Sequence, residues 1–414
     1  MTRSLRAPKA ASFGLSALLI TTALSSTSAL AQSHGDHATH HGSHTPAAES
    51  PDRWTVSTHT ELFLVHNQQS GPRGDNKTYV AGMVMAEGKR PFTGGHSLTL
   101  QTMLSPDPWM GKSGYPLLLQ AGESADGRTP LVDRQHPHDL VMALSATYRH
   151  RLSDTESLSV LVGWPAAPAF GPDAFMHRAS AGGSPEAPIT HHWFDSTHIT
   201  YGVVTVGWQN GPLTLEGSAF KGREPDETRF DLDNPKLDSQ SARLTWQASP
   251  HLVLQISGAR QQSPEALDPH SDQDKLSASA SYLRPLSGAG QLAITGAWAS
   301  KKATGRRAQN AWLLEASYRP APTGWQVFTR AEQIDTNELG HSHGHGHSPS
   351  GKGHHGPVET VRKLSLGAAY DFALSERIKL GLGALYSRNQ VPDALHDYGR
   401  NPHGTQVFMR LVRH

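Results

Sequence analysis

A transmembrane antiparallel β-barrel is the fold this sequence predicts. Three observations carry it: period-two alternation along most of the chain, connections that are alternately short and long, and a composition too polar for a large packed core. Only 36% of the 414 residues are hydrophobic, and 39 are glycine. A barrel with a polar lumen needs one apolar face per strand, which suits these proportions.

Sixteen segments qualify as strands, although fourteen would also close: 54–66, 76–87, 95–104, 138–151, 156–163, 197–209, 211–223, 237–248, 250–262, 274–286, 289–300, 309–320, 323–335, 359–374, 376–389 and 403–412. In the clearest, Leu276, Ala278, Ala280 and Tyr282 fall on one face, and Ser277, Ser279 and Ser281 on the other. Leu364, Leu366, Ala368 and Tyr370 alternate in the same way with Lys363, Ser365 and Gly367. Such two-faced segments suit strands with lipid on one side and water on the other.

The connections supply an independent signal. Ser153-Asp154, Asn210-Gly211, Ser249-Pro250, Ser287-Gly288, Pro322-Thr323 and Leu374-Ser375 mark short turns after even strands. Long connections follow the odd ones: 67–75, 105–137, 164–196, 224–236, 263–273, 336–358 and 390–402. Tight periplasmic turns and long external loops are the asymmetry of outer-membrane barrels. Tyr148, Trp246, Tyr282, Tyr318 and Tyr370 sit near the ends of even strands, where a periplasmic aromatic girdle belongs. Tyr386 would meet the outer interface. The chain closes on Phe408 to His414, with a histidine where such barrels commonly place an aromatic residue.

Residues 1–31 read as a cleaved secretory signal: Arg3, Arg6 and Lys9, an apolar run from Phe13 to Leu24, then Ala29-Leu30-Ala31. Residues 32–53 form a His-rich periplasmic tail, expected to lack order, and 54–414 form the barrel. Removing the signal leaves 383 residues of net charge −2. That balance excludes a nucleic-acid partner, because no basic excess exists to neutralise phosphates. Cysteine is absent, so disulfide and thiolate chemistry are excluded. The expected surroundings are outer-membrane lipid and the barrel-assembly machinery.

Two of the long loops concentrate chemistry. One ends Asp133-Arg134-Gln135-His136-Pro137-His138-Asp139. The other contains Gly171 to Arg178 and closes His191-His192-Trp193-Phe194-Asp195-Ser196-Thr197-His198. Imidazole and carboxylate together suit zinc or copper, with His136, His138, Asp139, His191, His192, Asp195 and His198 as candidate ligands. The same residues also fit a hydrogen-bonding network that folds the loops toward the lumen, with Arg134, Arg178, Arg223 and Glu224 as a charged constriction. Spacing alone leaves both readings open. A second, looser histidine tract, His341, His343, His345 and His347, lies in the external loop 336–358 and suits weak, exchangeable metal capture. No nucleophile elbow, zinc-protease helix or phosphate loop is present, so an enzyme is not expected.

On Gly114 to Gln120, Asp133 to Asp139, Gly171 to Arg178, His191 to His198 and Gly222 to Glu227, the chain resembles a family of uncharacterised proteobacterial outer-membrane barrels. The resemblance runs from about residue 80 to 265 and implies the barrel and its location, but no activity. The expected function is a channel, or a metal-related permeation or binding protein, with loops 105–137 and 164–196 turned toward the lumen. The alternative is a plugged structural or surface-binding barrel without transport.

Overall fold

The computed structural model describes residues 52–340 and 356–413. The predicted signal, nearly all of the tail, and His341, His343, His345 and His347 lie outside the described residues. Sixteen antiparallel strands close a ring: β1 (Thr55–Gln69), β2 (Asn76–Phe92), β3 (His96–Leu104), β6 (Val141–Arg151), β7 (Glu156–Gly163), β8 (Val203–Asn210), β9 (Leu213–Phe220), β10 (Ser239–Ser249), β11 (Leu252–Gln261), β12 (Gln273–Leu286), β13 (Gly290–Ala303), β14 (Gln309–Arg319), β15 (Trp325–Thr336), β16 (Glu359–Ala373), β17 (Ile378–Gln390) and β18 (His403–Arg413). The remaining pair, β4 (Tyr115–Ser124) and β5 (Pro130–Gln135), is a separate hairpin in the loop between β3 and β6.

Closure is made by β1 on β18, with Leu62 opposite Leu411 and Leu64 opposite Met409. Lipid offers no hydrogen bonds to a backbone, so a membrane sheet without edges is the stable solution. Alternation decides which side chains face out. Leu276, Leu314, Leu364, Leu366 and Leu382 are exposed apolar residues on the outer surface. Their neighbours Lys275, Glu315, Lys363 and Ser365 are buried on the lumenal side. Tyr148, Trp246 and Tyr318 are exposed near the short turns, and Tyr386 toward the other end. Trp325 meets Tyr370 edge-on at 5.2 Å in the same girdle.

The strands depart from the expected bounds and alternation where the inserted loops enter the barrel. The segments expected at 138–151 and 197–209 become strands only at Val141 and Val203, because His138 and His198 belong to the inserted loops. The β4–β5 hairpin was not expected in 105–137. Met142, outward by alternation, is fully buried at a bulge where Met103 pairs with Ala143 and Leu104 with Val141.

Loops 105–140 and 164–202 do more than lean inward. They fasten to the wall around the ring: Asn67 on β1 donates to Pro116 O (2.6 Å), Ser218 on β9 accepts from Ala169 N (2.8 Å) and Ser257 on β11 from Gly171 N (2.8 Å). Lys363 on β16 reaches Glu186 at 2.7 Å, and Gln406 on β18 donates to the same carboxylate at 3.2 Å. Apolar clusters seal the joins, one of them packing Leu118, Leu119, Ile189, Trp193 and Phe194 on Ala299, Ala311, Leu313 and Val361. Lumen-facing side chains are buried on the loop side and half-buried toward the short turns: Ser277 against Ser279 and Ser281 on β12, Arg243 against Thr245 and Gln247 on β10. The lumen is therefore packed from the loop end and opens as a vestibule at the turn end.

Leu366 lies midway along β16 and faces outward. Leu366→Arg is expected to cost about 2–4 kcal/mol of barrel stability, the price of a cation at mid-bilayer. Urea titration in lipid vesicles, followed by heat-modifiable gel migration, measures it. Ser279→Thr, on the vestibule wall, is expected to leave the midpoint unchanged.

Candidate metal centre

The two inserted loops meet at five histidines. His136 and His138 follow the hairpin. His191 and His192 begin the short helix α1 (His191–Phe194), and His198 ends the 3-10 turn after it. All five are buried. Ring centroids stand 5.1 Å apart for His138–His198, 5.2 Å for His191–His198, 5.5 Å for His191–His192, 5.8 Å for His136–His192 and 6.2 Å for His136–His191.

Local geometry explains the convergence. Gly122, at φ +125°, has no side chain because a Cβ there would lie 2.7 Å from the His192 ring. Gly171, at φ +68°, passes so close to Phe194 that a Cβ would come within 2.0 Å of its carbonyl oxygen. Leu119 adopts a left-handed backbone (φ 72°), held where its N–H donates to Asp133 at 2.8 Å.

Three of the rings are oriented through Nδ1. His191 Nδ1 lies 2.7 Å from Asp195 Oδ1, His138 Nδ1 2.9 Å from Asp107 Oδ2, and His198 Nδ1 2.7 Å from the Asp195 carbonyl. Those partners only accept, so Nδ1 carries the proton in each, and Nε2 of the neutral ring keeps a lone pair. Nε2 of all five rings is buried without a hydrogen bond, although His136 Nε2 is 3.2 Å from Glu123. Burial holds His136 and His198 well below the ordinary imidazole range, with neighbouring charges adding to the effect. Burial also lowers His191, against the pull of Asp195.

Around the rings lies a layer of ion pairs. Asp195 Oδ2 accepts from Arg178 Nη1 and from the Phe175 amide, both at 2.8 Å, and Arg178 Nε donates to Glu315 on β14 at 2.7 Å. Burial alone would raise Asp195, but His191 and Arg178 hold it below the usual carboxylate range. Arg229 bridges Glu123 and Asp139, and Tyr201 donates to Asp139.

The structure sorts the residues singled out from sequence. The five imidazoles come together, and Asp195 orients two of them. Asp139 is committed to Arg229 and Tyr201. Among the four constriction candidates, Arg178 is sealed between Asp195 and Glu315, while Arg134 binds Asp75 at the outer rim (2.9 Å). Glu224 faces His192 at 3.8 Å, and Arg223 is half-buried. Asp107, Glu123 and Arg229 complete the setting without having been anticipated, since their positions depend on loop folding. Ser196 is engaged by Lys275 at 3.3 Å, not by an imidazole.

No family model and no curated protein matches the chain. Solved structures do. An anion-selective porin from Comamonas acidovorans aligns over 87% of this chain and 100% of its own, at 12% identity and TM-score 0.52. Salmonella typhi OmpF, in complex with daunomycin, aligns over 86% and 97%, at 10% identity and TM-score 0.52. This chain has the fold of an outer-membrane β-barrel. A loop-deletion mutant of Vibrio cholerae OmpT, an outer membrane protein, adds the same result at 8% identity and TM-score 0.50, over 87% of this chain and 100% of that one. At such identities the likeness is one of fold, and the histidine centre must be argued from its own geometry.

The ion-pair layer sets a stability prediction for the barrel. Arg178→Met leaves Asp195 buried without its guanidinium, while Glu315 keeps Arg330 at 3.1 Å. The expected loss is on the order of 3 kcal/mol in chemical unfolding, the low end for breaking a buried pair. Arg260→Ala, which removes an exposed partner of Asp274, should shift the same curve by less than about 1 kcal/mol.

Proposed function

We propose that this chain is an exported outer-membrane protein whose lumenal plug binds a divalent transition metal, zinc or copper, on its imidazole cluster. The observation that carries the reading is the set of five buried Nε2 atoms without hydrogen bonds. A buried polar atom left unsatisfied costs about 1–3 kcal/mol, so an ion that takes several lone pairs at once removes a large penalty. Carboxylates and a carbonyl behind Nδ1 are what metal-bound imidazoles have as a rule, since they fix the ring and raise its basicity. An all-nitrogen and oxygen donor set suits zinc or Cu(II).

The cage is open. Two imidazoles on one tetrahedral ion place their centroids about 5 Å apart, given metal–nitrogen bonds of about 2.0–2.1 Å. The shortest spacings here match, and the others are wider. Among the described residues, the group of ligand atoms already within 4.8 Å of one another is instead Asp226, Asp231 and Asp233 near the loop rim. Occupation of the histidine site thus asks the rings to draw inward, since no three of their ligand nitrogens lie within 4.8 Å of one another, while nitrogens on one tetrahedral ion stand about 3.3 Å apart. The plug favours binding over free diffusion, because its loops span the lumen and are anchored on opposite walls.

Two measurements test this. The refolded full chain, loaded with zinc and passed through gel filtration in dilute chelator, is expected to retain one more tightly held equivalent than the His191→Ala/His198→Ala double variant. The histidine-rich tracts outside the described residues should bind too weakly to survive that step. Equal retention in two equally folded proteins would sink the proposal. In planar bilayers the intact chain is expected to give no porin-sized conductance steps, and regular steps would contradict the plug reading.

A further inference from the structure

The lumen wall beside the histidine centre is lined with methionine. Met83 and Met85 on β2, Met103 on β3 and Met142 at the start of β6 pack into one buried cluster, and Met176 from the inserted loop closes on it. These are five of the eight methionines in the chain. Met85 lies directly opposite Met103, and Met103 opposite Ala143.

Methionine commonly fills irregular gaps, and a plug against a wall creates them. That explanation meets a difficulty in the distribution. Where the same plug meets β13 to β16, the packing residues are Leu, Ile, Val and Ala. Where it meets β1, β2 and β18, they are Phe, Tyr, Val and Ala. Five thioethers gather in the β2–β3–β6 sector, which adjoins the imidazoles, against a lone Met110 packed on the β1–β2–β18 cluster. Ile199 of the cluster follows His198, and Met176 follows Phe175, whose ring lies 6.3 Å from that of His138. The cluster also stands at the boundary of the open lumen. Below it on the same wall, Glu87, Thr99, Gln101 and Ser145 are only half-buried, and Gln101 Nε2 approaches Met85 Sδ at 3.2 Å.

We infer that Met83, Met85, Met103, Met142 and Met176 form a second, soft binding site that takes a monovalent d10 ion of the Cu(I) class between the vestibule and the histidine centre. Thioethers are neutral, polarizable donors that select Cu(I) and discriminate against zinc, calcium and magnesium. A neutral donor set in a buried site holds a single positive charge at lower desolvation cost than a double one. The inference goes beyond the zinc or copper reading of the imidazoles. If both hold, the metal common to the two sites is copper.

The absence of cysteine makes the test direct, because every sulfur in the chain is methionine. The refolded full chain is loaded with one equivalent of Cu(I) under anaerobic conditions, and X-ray absorption at the copper edge reads the donor shell. A sulfur shell is expected, and it should disappear in Met85→Leu/Met103→Leu/Met176→Leu, which keeps volume and apolarity. Heat-modifiable migration confirms that the variant folds. A shell of nitrogen and oxygen alone in the parent, or a sulfur shell unchanged in the variant, overturns the inference. The His191→Ala/His198→Ala variant should keep the sulfur shell, so failure of the imidazole site and failure of the thioether site are read separately.

Discussion

A sixteen-strand ring has to do something with its middle. Closing the sheet satisfies every backbone group against lipid, but it encloses a lumen too wide for the strands' own side chains to fill. In this chain two long loops fill it, and loops bring polar backbone and charge into a buried space. Their burial is tolerable only if nearly every group finds a partner. Arg178 between Asp195 and Glu315, Arg229 between Glu123 and Asp139, and Lys363 against Glu186 are that requirement met. The rest of the structure hangs on these lumenal ion pairs, because they fix the loops that carry the histidines.

Five imidazoles gather in that buried space, and Nε2 of each is among the buried atoms left without a hydrogen bond. His138, His191 and His198 are oriented from behind through Nδ1. The methionine sector adds a second feature on the lumen wall, apolar in character but unlike the aliphatic and aromatic packing elsewhere around the plug. Together they describe a lumen whose wall is half-exposed and polar near the turns, with the thioethers, imidazoles and ion pairs buried where the inserted loops pack.

Much of this was legible in the chain, for a physical reason. Lipid on one side and lumen on the other impose a strict period of two, so Ser277 and Leu276 announce their faces without help from any other residue. Turn lengths announce the polarity of the barrel in the same way, and all sixteen expected strands are present. The histidines were legible as a group, since His136, His138, His191, His192 and His198 lie in two short polar runs. What escaped was whatever depends on the path of a loop in three dimensions. Asp107 and Arg229 lie far in sequence from the rings they support. His138 and His198 were assigned to strand starts, because a loop that dives into the barrel carries no periodic mark. Met142 was misplaced for a related reason: one bulge turns an outward position inward.

The central claim is that the orphaned nitrogens share an ion. Anomalous diffraction from crystals of the full chain, grown after zinc loading and collected on both sides of the metal edge, tests it most directly. The account predicts a peak bonded to Nε2 of at least three of the five histidines. Ordered water hydrogen-bonded to those nitrogens, with no anomalous signal among the rings, would contradict it.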